Sequence, residues 1–229
     1  MKRTDAIILA RGGSKGIPKK NIIDFCGKPL IAWTIENCID SAAIDNVWVS
    51  SDDPEILEVA ESYGAQLIKR PLNLSEDNSS SESGWKHGID YIQNVSSKPE
   101  IIVAPQVTSP VRQAKDIQNA VNLFIQNDYD SMLAASKVED LVFWSLNQSG
   151  ELESTDYDYP NHQRHDVSTK VIDTGSFYIF KPSVLENYGS RIGGKLGYYE
   201  LEMWKMFEID NPKDLDFCAA IMKEYILES

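Results

Sequence analysis

A chain of 229 residues, 42 % of them hydrophobic, suits one α/β domain or one domain with a small lobe, and can bury a substantial core. Its 35 acidic residues outweigh 22 basic ones, and the net charge of −13 argues against a nucleic-acid or anionic-membrane surface as partner. Cys26, Cys38 and Cys218 make no paired or Cys-x-x-Cys pattern, so neither a disulfide framework nor a zinc site is indicated. The first apolar run, 6–10, is too short for a signal peptide or membrane span, and a cytoplasmic setting is expected.

In chain order, residues 7–10 read as a buried strand. It opens into a loop holding Arg11, Gly12, Gly13, Lys15, Gly16, Lys19, Lys20 and Asn21. Glycines let the backbone approach a ligand and turn N–H groups toward it, and the cations supply the charge that a polyphosphate needs. The loop is not a Walker loop, because Gly27-Lys28 lacks the preceding glycine at the required spacing. Nor is it the dinucleotide fingerprint, because Gly12 and Gly13 are adjacent.

A helix is predicted over 30–39, with Leu30, Trp33, Ile35 and Ile39 as its apolar positions, and a strand over 47–49. Pro54 starts a helix that runs to Gly64. A short strand follows at 66–69, then a helix at 83–95. Residues 101–104 are an uninterrupted apolar strand of the kind a parallel sheet buries on both faces. A helix at 117–125 and a strand at 132–135 come next.

The alternation stops between 138 and 170, a stretch rich in Asp, Tyr, Ser, Asn and His. Leu141, Val142, Phe143 and Trp144 are too apolar for a disordered insertion, so this stretch reads as an extended excursion that packs on something outside its own core. A strand at 177–180 and a closing helix at 215–227, with Pro212 at its start, complete the chain. The alternation predicts an α/β fold with a doubly wound, mostly parallel sheet, and a ligand at the carboxyl ends of its strands. The whole chain, 1–229, is read as one domain.

Glu208 and Asp210 stand at i and i+2, which on a strand is one face, so both can reach one ion. Few protein carboxylates, with phosphates completing the shell, describe a magnesium site. The competing reading is that Asp210 and Asn211 prepare the N-terminus of the last helix. Ser81 likewise reads as a cap for the helix carrying Glu82 in its first turn, and Thr108 and Ser109 as caps for a helix from Pro110. His162 and His165 lack a partner pattern and read as surface residues, as Lys19 and Lys20 read as solvated lysines.

Residues 9–21, Leu-Ala-Arg-Gly-Gly-Ser-Lys-Gly-Ile-Pro-Lys-Lys-Asn, closely resemble the signature loop of the acylneuraminate cytidylyltransferases (CMP-sialic acid synthetases), and further matches run to about residue 218. Members couple CTP to a nine-carbon 2-keto-3-deoxy sugar acid and release pyrophosphate. The resemblance implies a nucleotidyltransferase-type fold and a part in cell-surface polysaccharide biosynthesis. It also implies that Arg11 and Lys15 contact the phosphates beside Gly12, that Asn21 contacts the nucleotide sugar, and that Mg2+ sits on Asp210. Glu208 stands where the family's Asp-x-Asp motif has its first Asp and, one methylene longer, reaches the ion directly or through a water.

Lys69-Arg70-Pro71 and the run Asp77-Asn78-Ser79-Ser80-Ser81 resemble the segment that embraces base and ribose, which assigns Arg70, Ser79 and Ser81 to the nucleotide. Residues 104–112 resemble the family's Gln-Pro-Thr-Ser-Pro-Leu-Arg motif, with Val107 in place of the proline, and turn Gln106 toward the sugar. Arg164, Thr174 and Tyr178 lie in segments resembling those that hold the sugar acid, where Arg164 suits its carboxylate. Two cations of the family pattern are missing, since Trp144 and the segment Ile172-Asp173-Thr174-Gly175 replace them. The resemblance makes 138–170 a dimerisation insertion and the chain a homodimer that shares its sites. The rival readings are an enzyme for an eight-carbon acid of the 3-deoxy-octulosonate type, and a nucleotide-binding module without catalysis.

Overall fold

In the computed structural model, which describes residues 2–138, 143–154, 157–158, 163–164 and 170–228, the first apolar run forms β1 (Thr4–Leu9). Alternate residues of a strand face opposite sides of a sheet. Accordingly Ala6 and Ile8 enter one apolar cluster while Ile7 enters another. The chain continues through a hairpin of β2 (Asp24–Phe25) and β3 (Lys28–Pro29), closed by Cys26 and Gly27 at φ 52° and 89°. That pair of left-handed residues is the geometry of a tight hairpin turn.

α1 (Leu30–Ile39), β4 (Asn46–Ser51), α2 (Pro54–Ser62), β5 (Gln66–Lys69), α3 (Ser81–Val95), β6 (Ile101–Pro105) and α4 (Ala114–Gln126) follow. Then come β7 (Ser131–Val138) and four short strands: β8 (Trp144–Leu146), β9 (Leu152–Ser154), β10 (Tyr157–Asp158) and β11 (Gln163–Arg164). β12 (Lys170–Phe180), α5 (Pro182–Tyr188), β13 (Leu196–Glu200) and α6 (Pro212–Met222) close the fold. α6 runs on as a π turn, Lys223–Leu227.

Seven strands make one sheet in the order β13-β7-β12-β6-β1-β4-β5. β12 is antiparallel to β6 and β7, and every other pairing in this sheet is parallel. One face is covered by α1, α2, α4 and α6, through residues such as Leu30, Ile56, Ile117 and Met222. The other is covered by α3 and α5, through Trp85, Ile89, Val184 and Leu185. β6 is buried on both faces, as its apolar run requires. The strand order reverses beside β1, where β4 and β6 flank it. In an open α/β sheet a ligand is expected at that reversal, outside the carboxyl ends of the strands.

The fold differs from expectation at three strands of this sheet, β7, β12 and β13, and at the helix α5. β7 and β12 are longer than their apolar centres: buried Ser131 and Ser136 extend β7, and β12 gains the half-exposed to exposed stretch 170–173 with the buried Thr174 and Ser176. Ser131 and Ser136 find partners in the Gly193 and Leu201 carbonyl oxygens, at 2.7 and 2.9 Å, so their burial breaks the sequence pattern without leaving a group unpaired. α5 and β13 carry no clear period, the latter because it is a half-exposed edge strand. β12 also shifts register between Asp173 and Tyr178, with Gly175 at φ 64°. A bulge of this kind re-aims neighbouring groups, and this one lies beside the end of β6. The pairs β8–β9 and β10–β11 form their own two-stranded sheets apart from the main one.

Candidate active site

The loop after β1 is shaped by close contact with the segment before α6. A Cβ on Gly16 would lie 2.1 Å from the Asp210 carbonyl oxygen, so only glycine allows the two backbones to touch. Lys20, expected in solvent, turns inward instead. Its Nζ donates to the Ile209 carbonyl oxygen at 2.9 Å and to Asp210 Oδ1 at 3.0 Å. Lys19 does lie at the surface, paired with Glu55. Asn21 is buried, and its side-chain amide donates to the Arg11 carbonyl oxygen at 2.9 Å, bracing the loop from within.

These contacts shape a cleft of about 580 Å³ into which Arg11, Lys15, Asn21, Arg70, Ser79, Ser81 and Asp210 all project, together with Lys20 and Thr108. Gly12 lies outside its lining. The Gly12 N–H donates to Asp52 Oδ1 at 3.2 Å, and a Cβ there would meet Asp53 Oδ2 at 2.7 Å. The two loop cations converge on one carboxylate: Arg11 Nη1 lies 3.1 Å from Asp77 Oδ1, and Lys15 Nζ 2.8 Å from Asp77 Oδ2. The hydrogen bond from Lys15, reinforced by both positive charges, holds the Asp77 carboxyl below the usual carboxylate range. The Asp77 carboxylate is thus gripped by two cations, one on each oxygen. A lone Asp in a polar loop carries no sequence signal for that.

Arg70 is buried, and desolvation pulls its guanidinium below the ordinary arginine range, with Asp52 opposing the shift from 3.8 Å. Its Nε donates to Ser75 Oγ at 2.9 Å, and Ser79 Oγ donates to the Asn73 carbonyl oxygen at 3.2 Å, so the 72–80 segment is tied to this wall of the cleft. The cap of α3 is Ser80, not Ser81: Ser80 Oγ accepts from the Ser83 N–H at 3.2 Å. Ser81, the first helical residue, faces the cleft.

A smaller cavity of about 110 Å³ adjoins the cleft, sharing Leu9, Asn21, Ser81 and Thr108 with it, and Gln106 forms part of its wall. The Gln106 backbone is fixed from both ends. Its N–H donates to the Ser176 carbonyl oxygen at 3.0 Å, and its own carbonyl oxygen accepts from Arg112 Nη2 at 2.9 Å. Arg112 is fully buried, also donates to the Ser176 carbonyl oxygen at 2.6 Å and Thr34 Oγ1 at 2.7 Å, and is pulled down by burial to a pKa of about 10. Thr108 and Ser109 do not cap a helix from Pro110. α4 begins only at Ala114, where the Gln113 N–H donates to Asp116 Oδ2 at 2.8 Å.

Thr174 and Tyr178 line neither cavity among the described residues. Thr174 Oγ1 donates to the Ala134 carbonyl oxygen and Tyr178 Oη to Asp173 Oδ2, each at 2.9 Å. Arg164 stands in β11 opposite Tyr157 in the strand register. Leu141, Val142, Tyr159, His162 and His165 are outside the described residues altogether.

The segment carrying Glu208 and Asp210 is not a strand, although it is anchored by the Ile209 N–H on the Thr108 carbonyl oxygen at 2.8 Å. Asn211 is the cap of α6, accepting from the Lys213 and Asp214 N–H groups at 2.9 and 3.2 Å, while Asp214 accepts from the Asp210 N–H at 2.9 Å. The helix start is therefore served without the Asp210 carboxylate, which is 71 % exposed and meets Lys20 at 3.0 Å. Glu208 is more enclosed. Burial, and then the Asp210 charge, raise its carboxyl above the usual range, and its Oε1 lies where a Cβ on Gly175 would stand.

A family model described as cytidylyltransferase matches residues 6–228. The chain belongs to the cytidylyltransferase family. It is 33 % identical to a pseudaminic acid cytidylyltransferase of Campylobacter jejuni over 95 % of both chains. It is 34 % identical to N-acylneuraminate cytidylyltransferase A of Danio rerio over 96 % of its own residues, and there it spans half the relative's length. Among solved structures, a CMP:2-keto-3-deoxy-manno-octonic acid synthetase complexed with CTP superposes with a TM-score of 0.71 at 17 % identity, covering 98 % of this chain and all of that one. A 4-diphosphocytidyl-2C-methyl-D-erythritol synthase of Anaerococcus prevotii gives 0.68 at 15 % identity, covering 97 % of each chain. At those identities the likeness is one of fold, a nucleotidyltransferase-type sheet. Among the described residues no helix is long and apolar enough to cross a membrane.

Proposed function

We propose that this chain couples CTP to a nine-carbon 2-keto-3-deoxy sugar acid, giving the CMP-sugar and pyrophosphate. The observation that carries this reading is the convergence of Arg11, Lys15, Lys20 and Asp210 on one cleft at the reversal of the sheet, inside a chain of net charge −13. A triphosphate offers Arg11 and Lys15 the same oxygen-anion partner as Asp77 does, with more charge, and so takes over their contacts. The anomeric hydroxyl of the acid attacks the α-phosphorus. Charge then grows on the departing pyrophosphate, and cations fixed there stabilise the transition state more than the ground state. Asn21, Arg70, Ser79 and Ser81 line the rest of the cleft and suit the nucleoside, and Gln106 suits the sugar hydroxyls.

Magnesium fits this site by the chemistry of its donors. Asp210 offers a hard, exposed oxygen to the cleft, and the charge it places on Glu208 is a like-charge strain that a cation relieves. Asp210 would hold the ion, with Glu208 as the second carboxylate, and the ion would supply charge neutralisation at the phosphate oxygens. The reading is tested by pyrophosphate release from CTP with a panel of eight- and nine-carbon 2-keto-3-deoxy acids. Release only with an eight-carbon acid would move the assignment to the 3-deoxy-octulosonate type. Binding of CTP without release from any acid would leave a nucleotide-binding module.

Assembly as a homodimer through 138–170 belongs to the same proposal. Trp144, Leu146 and Leu152 are 46, 70 and 66 % exposed on the β8–β9 hairpin, and Phe143 beside them is 38 % exposed. A two-fold contact would cover this apolar area on both copies. Phe143→Asp is expected to give a monomer by light scattering at micromolar concentration and to reduce turnover with it. A monomeric parent with full activity would remove both the interface and the shared site.

A further inference from the structure

Arg191, in the loop between α5 and β13, is a charged residue that the chemistry proposed above does not use. It forms one wall of the cavity of about 110 Å³ that holds Gln106, and no other described residue lining that cavity is charged. The rest of the wall joins the apolar Leu9, Trp85, Pro105 and Val107 to the polar Asn21, Ser81, Gln106 and Thr108, so the guanidinium faces neutral side chains only, some of which can hydrogen-bond to a polar ligand beside it.

The group is also held in place on several sides. Nη1 donates to Glu82 Oε1 at 2.7 Å. The guanidinium carbon lies 4.2 Å from the centroid of the Tyr178 ring and 5.5 Å from that of Trp85. Tyr178 is in turn fixed by its hydroxyl on Asp173. Yet the Arg191 Nε–H is buried without a hydrogen-bond partner among the described residues. A guanidinium carries five N–H donors, and an orphaned buried one is costly unless something arrives to accept it.

We infer that Arg191, rather than the Arg164 to which the resemblance gives that part, is the residue that receives the carboxylate of the sugar acid, and so sets the preference for acids over neutral sugars. This rests on the function proposed above. The cavity takes a carboxylate end rather than a whole nine-carbon chain, and it opens beside the cleft where the triphosphate would lie. A planar fork pairs with a carboxylate through two parallel hydrogen bonds, which a hydroxyl or an ester does not match. Within a strongly acidic chain an anionic substrate also needs a local cation to enter at all. Tyr178 then acts as a positioning residue, supporting Arg191 from the β12 side.

The test uses whichever acid the full-length protein turns over, with pyrophosphate release as readout and CDP binding measured separately by calorimetry. Arg191→Gln is expected to raise KM for the acid about 30-fold while changing kcat and CDP affinity by no more than about two-fold, the loss being that of a charge-assisted pair. Arg191→Lys should fall between, keeping the charge and losing the fork. The parent should strongly prefer the free acid to its methyl ester, and Arg191→Gln should lose most of that preference. Unchanged KM with the preference intact overturns the assignment. A fall in CDP affinity with KM for the acid unchanged also overturns it, by giving Arg191 to the nucleotide. If the parent turns over no acid, the proposed function falls and this inference with it.

Discussion

Asp210→Asn is expected to fold as the parent does and to lose turnover by about 10²-fold or more, the scale seen when a group acting on transition-state charge is removed. The fold should survive because the carboxylate has no structural duty. Asn211 and Asp214 form the helix start, and Gly16 meets only the Asp210 backbone. The contact to Lys20 is an ion pair with one strongly exposed partner, and such pairs contribute at most about 1 kcal/mol. The melting temperature should therefore move by about 4 °C at most. On the proposed function, chelation abolishes pyrophosphate release and magnesium restores it in the parent but not in the variant. Full activity of Asp210→Asn at limiting magnesium would make the carboxylate a mere partner for Lys20.

Arg11→Ala is expected to lower kcat/KM by about 2 to 4 kcal/mol, or roughly 30- to 1,000-fold. Arg11 touches the 72–80 segment at two points, through Asp77 and the Glu76 carbonyl oxygen at 3.3 Å, and both contacts are at the surface. Removing them should cost little stability, which separates this variant from one that fails by unfolding. The loss should fall mainly on kcat if Arg11 grips the phosphates harder as pyrophosphate departs, and mainly on KM if it binds ground and transition states alike. Steady-state kinetics beside a melting curve distinguish these, and near-parental turnover in a folded variant would withdraw Arg11 from the chemistry.

Much of this site is legible in the amino-acid sequence, for a physical reason. A phosphate-gripping loop needs glycines and cations close together along the chain, because the loop itself must wrap the ligand. Arg11, Lys15 and Gly16, the residues proposed for that role, thus stand within a few positions of one another. The buried strands are equally legible: β6 is covered on both faces and must be apolar throughout. Ser80 shows where this legibility ends. A run of three serines signals a helix start, but which one caps it depends on where the chain leaves the extended conformation.

Local chemistry was therefore written along the chain: an α/β alternation, a cation-rich loop at the end of the first strand, and carboxylates ahead of the last helix. Which of these groups meet was settled only by folding. Lys20 and Lys19 are neighbours of one type, yet one reaches Asp210, 190 positions away, and the other a surface glutamate. Arg191 becomes a cavity wall only because α5 and β13 return it to Gln106 and Trp85. β12 takes its antiparallel place from pairing with β6 and β7, not from any pattern of its own. Local patterns record which face of an element is buried. Pairing across the chain is set by how those faces fit together, and that information resides in no single segment.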